Sequence, residues 1–167
     1  MTMRLRSYCS YCGARLGPLV DNHQDCAACG DPYFHDAKPC AAVIVTRPDG
    51  AILLGRRAIE PQRDLWDLPG GFCHPNETPE DCAVRELREE TGCDIRIDAF
   101  LGHVIDTYGD GGDYTLNAIF VAHIERGQPV AADDVAELVW FPSDGLPTRS
   151  QLAFENTATA LALDRER

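Results

Sequence analysis

Two sets of side chains concentrate donor atoms in this chain. Glu86, Glu89 and Glu90 stand at spacings of three and four, and four cysteines form two matched pairs, Cys9-Ser-Tyr-Cys12 and Cys26-Ala-Ala-Cys29. At about 100° per residue the three glutamates occupy one arc of a helix, and Ala83, Val84, Leu87 and Thr91 the neighbouring arc. One face therefore suits a core while the other crowds carboxylates, which repel at such spacings by roughly a few tenths of a kcal/mol per pair. Residues 77–90 hold six acidic side chains (Glu77, Glu80, Asp81, Glu86, Glu89, Glu90) against two basic ones (Arg85, Arg88), a local charge of −4. A divalent cation relieves that repulsion, and hard oxygen donors select magnesium or manganese over softer metals. The other reading is a solvated helix face with ordinary salt bridges such as Arg85 to Glu89.

Each cysteine pair is followed by a glycine, Gly13 or Gly30, and thirteen residues lie between the pairs. Tetrahedral zinc takes four thiolates, and a glycine permits the tight turn that brings main-chain N–H groups towards sulfur. A redox pair or a disulfide is the alternative. With no fifth group to complete an open site, bound zinc is expected to be structural. Cys40, Cys73, Cys82 and Cys93 lack such spacing and read as small buried residues. The five histidines form no second metal cluster.

The helix that presents the glutamates is predicted over Thr78 to Thr91. Thr78 can cap it, Pro79 suits the first helical position, Asp81 follows three residues after the cap, and Gly92 supplies a left-handed stop. Before it, Ala41–Thr46 and Ala51–Leu54 read as strands joined by the turn Arg47-Pro48-Asp49-Gly50, and Leu65–Phe72 passes from strand to loop. After it, Ile95–Val104, Tyr114–Ile124 and Val135–Phe141 read as strands of one mixed sheet. A last helix from about Ser150 places Phe154, Ala158 and Leu161 on one face. Trp66 and Phe72 are read as core residues. The segment before His35 holds too few large apolar residues to build a core unaided, which sets an expected division at 1–35 and 36–167.

Fifteen basic against twenty-seven acidic residues give a net charge of −12, so no overall positive field gathers nucleic acid or an anionic membrane surface. No apolar run approaches the roughly 20 residues of a membrane span. No apolar core follows the basic start of Met1 to Arg6, so no secretory signal is expected. A cytoplasmic setting and a small-molecule partner follow as expectations.

Gly71, five residues to Glu77, seven to Arg85-Glu86-Leu87, one to Glu89-Glu90 and one to Gly92-Cys93 together resemble the signature of the Nudix hydrolases. Only Cys93 departs, standing where a larger aliphatic residue is usual. The resemblance implies an α/β fold, an α/β/α sandwich with a mixed sheet, preceded here by a small zinc ribbon. It implies that Glu86 and Glu90 are the principal ligands of Mg2+ or Mn2+, with Glu89 assisting and the main-chain carbonyl near Gly71 contributing. Arg85 is expected to orient the carboxylates and Glu77 to pair with Arg85. Glu137, three residues before Trp140-Phe141, stands where related enzymes place a further ligand or base; an exposed glutamate at a strand edge is the alternative.

A ribbon ahead of this box is similar to the NADH pyrophosphatase branch and its relatives acting on ADP-ribose or FAD. Arg56-Arg57-Ala58-Ile59-Glu60-Pro61 and Leu152-Ala153-Phe154 extend that likeness, with Arg57 as a candidate substrate contact. The proline- and tryptophan-containing run that marks NADH-specific enzymes is missing, which argues against NADH specificity and against removal of NAD caps from RNA. Ribbon-bearing relatives also suggest a homodimer. In the glycine-rich segment Asp106–Tyr114, Tyr108 or Tyr114 can stack on a base; a plain hairpin loop is the alternative. The leading expectation is hydrolysis of a dinucleotide or sugar nucleotide to monophosphates. A nucleoside-triphosphate pyrophosphatase and a non-catalytic nucleotide sensor remain as alternatives.

Overall fold

The computed structural model describes residues 5–109 and 112–166. Met1–Arg4, the basic start considered above, and Asp110 and Gly111 of the glycine-rich segment lie outside the described residues.

Three short strands, β1 (Leu19–Val20), β2 (His23–Asp25) and β3 (Pro32–Phe34), form an antiparallel meander. Around it the two cysteine pairs build equivalent turns. Gly13 N–H donates to Cys9 O at 3.0 Å and Gly30 N–H to Cys26 O at 2.8 Å, each glycine at positive φ (76° and 77°), a conformation that a side chain resists.

The larger sheet begins with β4 (Lys38–Thr46) and β5 (Ile52–Arg57), continues through the short β6 (Trp66–Asp67) and β7 (Gly70–Phe72), and after α1 (Pro79–Thr91) is completed by β8 (Asp94–Tyr108), β9 (Asp113–Arg126) and β10 (Val135–Phe141). Its order is β10-β5-β4-β9-β8, with β6 paired to β5 and β7 to β4. The β4–β9 pair is parallel and every other pair is antiparallel, so the sheet is mixed.

Alternation along the central strands divides the core in two. Ala41, Val43 and Val45 of β4 with Ala118, Phe120 and Ala122 of β9 pack against Cys82, Ala83 and Leu87 of α1. Ala42 and Ile44, with Ile119 and Val121, pack against Ala160 and Leu161 of α2 (Glu155–Arg165) on the opposite face. A helix thus covers each side of the sheet, as an α/β/α sandwich requires. Trp66 packs in the second core, edge-on to Phe141 at 5.0 Å.

Helix α1 has the boundaries its capping residues dictate: the Thr78 hydroxyl accepts from Asp81 N–H at 3.2 Å, and Gly92 ends the helix at φ 70°. The last helix differs from the sequence expectation. Residues 149–151 form a single 3-10 turn, Leu152 bridges to Trp66, and Ala153 N–H donates to Trp66 O at 2.8 Å. Strapped to the sheet in this way, the segment cannot coil until Glu155, and Phe154 becomes the residue before the helix rather than part of its buried face.

Candidate functional site

The turn between β6 and β7 brings Gly70 and Gly71 under the acidic face of α1. Gly70 adopts φ 147°, and a Cβ there would lie 2.2 Å from the carbonyl oxygen of Ala41 on β4. At Gly71 a Cβ would lie 2.5 Å from Oε1 of Glu86. One glycine lets the loop press against the sheet, and the next lets a carboxylate press against the loop.

Glu90 turns inward. Its side chain is buried and Oε2 accepts the Gly70 N–H at 3.1 Å. Burial, followed by the charges of Asp134 and Glu86, holds its carboxyl well above the ordinary carboxylate range. Glu86 is also raised, chiefly by burial, with Glu89 and Asp134 adding repulsion and Arg85 opposing it. Mutual repulsion among acids at the buried end of a loop is the electrostatic condition that a cation relieves.

Arg85 organises the exposed half of the cluster. Its guanidinium donates to Glu77 Oε1 at 2.7 Å and Oε2 at 2.8 Å, to Glu86 Oε1 at 2.8 Å, to Glu89 Oε2 at 3.0 Å and to the Phe72 carbonyl at 3.0 Å. A planar fork of five donors suits this task, and a lysine could not reproduce it. The Arg85 bonds, with the His74 N–H, pull the Glu77 carboxyl down to about 2. The acids do not close into a compact cage: among the described residues no three carboxylates bring oxygens within 4.8 Å of one another. Magnesium does not need such a cage, since it keeps waters and takes phosphate oxygens for its remaining positions.

A narrow cleft opens directly from Gly71, between β4, β8 and the start of α2. Phe72, Tyr108 and Phe154 line it, with Arg57, Asp67, Asp106 and Asn117 among its polar members. Tyr108 stacks on Phe154 at 5.6 Å and meets Phe72 edge-on at 5.3 Å. Arg57 lies over the Phe154 ring at 5.1 Å, reaches the Tyr108 hydroxyl at 3.5 Å and pairs with Asp67 at 3.7 Å. Burial pushes the Asp67 carboxyl up to about 6, against the pull of Thr157 and Arg57.

The structure sorts the residues that the sequence singled out. Gly71, Glu77, Arg85, Glu86, Glu89 and Glu90 come together in one cluster. Arg57 and Tyr108 share the cleft beside it. Tyr114, the other aromatic of the glycine-rich segment, lies on the opposite face of the β8–β9 hairpin, away from the cleft. Phe72 is 37% exposed and walls the cleft, so it is not a core residue; it ends β7 opposite Cys40, next to the exposed start of β4. Glu137 sits half exposed on β10 and pairs with Arg56 at 2.9 Å. The acid outside the box whose charge bears on both Glu86 and Glu90 is Asp134, immediately before β10. Sequence reading passed over Asp134; the available signal was the Asp133-Asp134 turn leading into the last strand.

At the other end of the chain the sulfurs of Cys9, Cys12, Cys26 and Cys29 lie within 4.8 Å of one another, as a tetrahedral metal site demands. Tyr11 N–H approaches the Cys9 sulfur at 3.4 Å. The main-chain N–H groups of Cys29 and Ala28 draw the Cys26 thiol down to about 7. These donors favour thiolates, the form that binds zinc.

Comparison with known proteins agrees with this geometry. An ADP-ribose pyrophosphatase of Methanocaldococcus jannaschii is 32% identical over 124 residues, which cover 74% of this chain and 70% of that protein. The NAD-capped RNA hydrolase NudC of Stutzerimonas stutzeri is 29% identical over 142 residues; these cover 84% of this chain but 49% of that protein, so the chain spans about half its length. The crystal structure of a Nudix hydrolase from Nitrosomonas europaea shares the fold, with a TM-score of 0.77 at 23% identity, covering 96% of this chain and 92% of that one. The NUDIX domain family matches residues 36–161, and with the glycine loop and acidic helix placed as described, the chain belongs to the Nudix hydrolases.

Proposed function

We propose that this Nudix hydrolase cleaves the diphosphate of a nucleoside diphosphate derivative of the ADP-ribose, NADH or FAD class, giving two monophosphates. The observation that carries this reading is the convergence of Glu86 and Glu90, both raised by burial and mutual repulsion, on the Gly70–Gly71 pair beside an aromatic cleft. Residues 1–35 serve as the zinc ribbon and 36–167 as the catalytic domain.

Glu86, Glu90 and the Gly71 carbonyl fit the hard-oxygen requirement of Mg2+ or Mn2+, with Glu89 and Asp134 completing the acidic surround. Bound there, the metal would neutralise phosphate oxygens and lower the pKa of attacking water. The chain's own residues do the positioning. Arg85 holds Glu86 and Glu89 in register, and Glu77 locks Arg85 from the other side. Glu90, in a buried and hydrogen-bonded setting, keeps one orientation. Phe72, Tyr108 and Phe154 offer an apolar surface to one nucleoside, with Arg57 above it. Zinc fits the four sulfurs of the ribbon and would supply stability to a segment with little core of its own.

Chromatography of products from ADP-ribose, NADH, FAD and nucleoside triphosphates, with magnesium and with manganese, tests the reading. Two monophosphates from a dinucleotide are expected. Inorganic pyrophosphate released from triphosphates, with the dinucleotides left intact, would replace it with the triphosphate reading.

A further inference from the structure

A second cavity lies where the ribbon meets the open end of the sheet. Its volume is about 370 Å3, and its lining includes Arg6 and Tyr33 from the ribbon, Asp36 from the link between ribbon and sheet, and Lys38, Asp113 and Tyr114 from the sheet. That size is near the lower end of the roughly 300–1,000 Å3 typical of ligand pockets, enough for part of a dinucleotide and not for all of it. It adjoins the aromatic cleft, because Lys38 Nζ lies 5.7 Å from the centre of the Phe72 ring that walls the cleft. Phe72 in turn offers its carbonyl to Arg85, which pairs with Glu86 and Glu89 of the carboxylate cluster.

The cavity is built and held. Arg6 lies over the Tyr33 ring at 5.2 Å and its Nε donates to the Tyr33 hydroxyl at 3.2 Å. Among the described residues no carboxylate pairs with Arg6. The Arg6 backbone is clamped on both sides by Gln24, which is only 3% exposed: its Oε1 accepts from Arg6 N–H at 3.0 Å and its Nε2 donates to Arg6 O at 3.1 Å. The same Gln24 oxygen lies 2.8 Å from His35 Nε2. A buried amide thus fixes both the segment that carries Arg6 and the link from ribbon to sheet. On the sheet side Lys38 and Asp113 pair at 2.6 Å, and both side chains are about half exposed (51% and 48%).

We infer that this junction cavity binds the second ribose phosphate half of the substrate, which makes the zinc ribbon part of the substrate site and selects dinucleotides over nucleoside triphosphates. Lys38 meets the phosphate nearer the sheet, the Asp113 carboxylate accepts from ribose hydroxyls, and Arg6 donates to oxygens farther out. The first nucleoside keeps the aromatic cleft. This inference rests on the diphosphatase reading above.

Its test uses the full chain with zinc, comparing wild type with Arg6→Ala and Lys38→Ala. Inhibition of turnover by ribose 5-phosphate is expected to weaken about tenfold in each variant, as loss of a charge-assisted hydrogen bond implies, while inhibition by AMP stays at the wild-type level. KM for the dinucleotide rises with kcat nearly unchanged. Unaltered ribose 5-phosphate inhibition in both variants refutes the inference, as does equal loss of inhibition by both products. A second readout is independent of turnover: amide chemical shifts of the wild type titrated with ribose 5-phosphate should move at Arg6, Ser7, Tyr33, Lys38 and Tyr114. Shifts there without hydrolysis of any dinucleotide would remove the diphosphatase reading and leave the site. Hydrolysis without those shifts would remove the site and leave the enzyme.

Discussion

Gly70 and Gly71 are neighbours at the start of β7, and replacing each by alanine should fail in opposite ways. At Gly71 the added Cβ meets the end of a flexible side chain, Glu86 Oε1 at 2.5 Å, so the carboxylate must retreat by about 0.9 Å to reach an ordinary contact of 3.4 Å. Stability should hardly change, but the displaced group is a proposed metal ligand, and a misplacement of about 1 Å can cost on the order of a hundredfold in rate. At Gly70 the obstacle is backbone, with Ala41 O at 2.2 Å and Ala42 Cα at 2.8 Å, and φ 147° resists any side chain. Nothing there can rotate away. A cost of about 3 kcal/mol or more follows, which for a chain of this size lowers Tm by roughly 6–12 °C. The assay is kcat for dinucleotide hydrolysis in magnesium beside thermal unfolding of each variant. Gly71→Ala turning over at the wild-type rate, or losing as much stability as Gly70→Ala, would refute the placement of Glu86 against the loop.

Further predictions follow from the same geometry. Asp134→Asn should lower kcat at least tenfold while Glu137→Gln stays close to wild type, because the charge of Asp134 bears on Glu86 and Glu90 whereas Glu137 pairs with Arg56; the reverse order in steady-state kinetics would restore Glu137 to the site. Strong chelation should release zinc and abolish the ordered signals of residues 5–35, and a ribbon that stays folded with no zinc found by elemental analysis would end that assignment. Asp67 titrates at about 6 in the folded protein, above the ordinary 3.8, so its protonated form is the stabilising one. That contribution is complete below about pH 3.8 and is lost as pH rises through about 6. Asp67→Asn should therefore raise Tm at pH 7 relative to wild type and give little or no gain at pH 4; a gain of equal size at both pH values in thermal melts would show that the buried charge is not the cause.

What could be read in the chain alone is what short-range geometry dictates. The cap at Thr78, the stop at Gly92 and the three- and four-residue spacing of the glutamates are local, so α1 and its acidic face follow from the residues themselves. The paired cysteines and their glycines likewise define two turns before any tertiary contact is made. Val135–Phe141 was legible for the same reason, as a run of strand formers after a turn. The start of the last helix was not, because a long-range contact between Ala153 and Trp66 overrides local preference.

Long-range packing also decided matters of the site that no spacing could. Tyr108 and Tyr114 lie in one glycine-rich segment, yet the pleat of the hairpin sends them to opposite faces, one to the cleft and one to the junction cavity. Phe72 reads as core by composition and becomes a wall of the cleft because it pairs with Cys40, beside the exposed start of β4. Which distant acid approaches Glu86 and Glu90 depends on how β10 crosses the sheet, and Asp134 is the residue carried there. The sequence by itself determined where donor atoms concentrate, since that depends on residue type and local spacing. Only the tertiary structure decided what surrounds them, because burial and the meeting of distant charges arise when the strands pair.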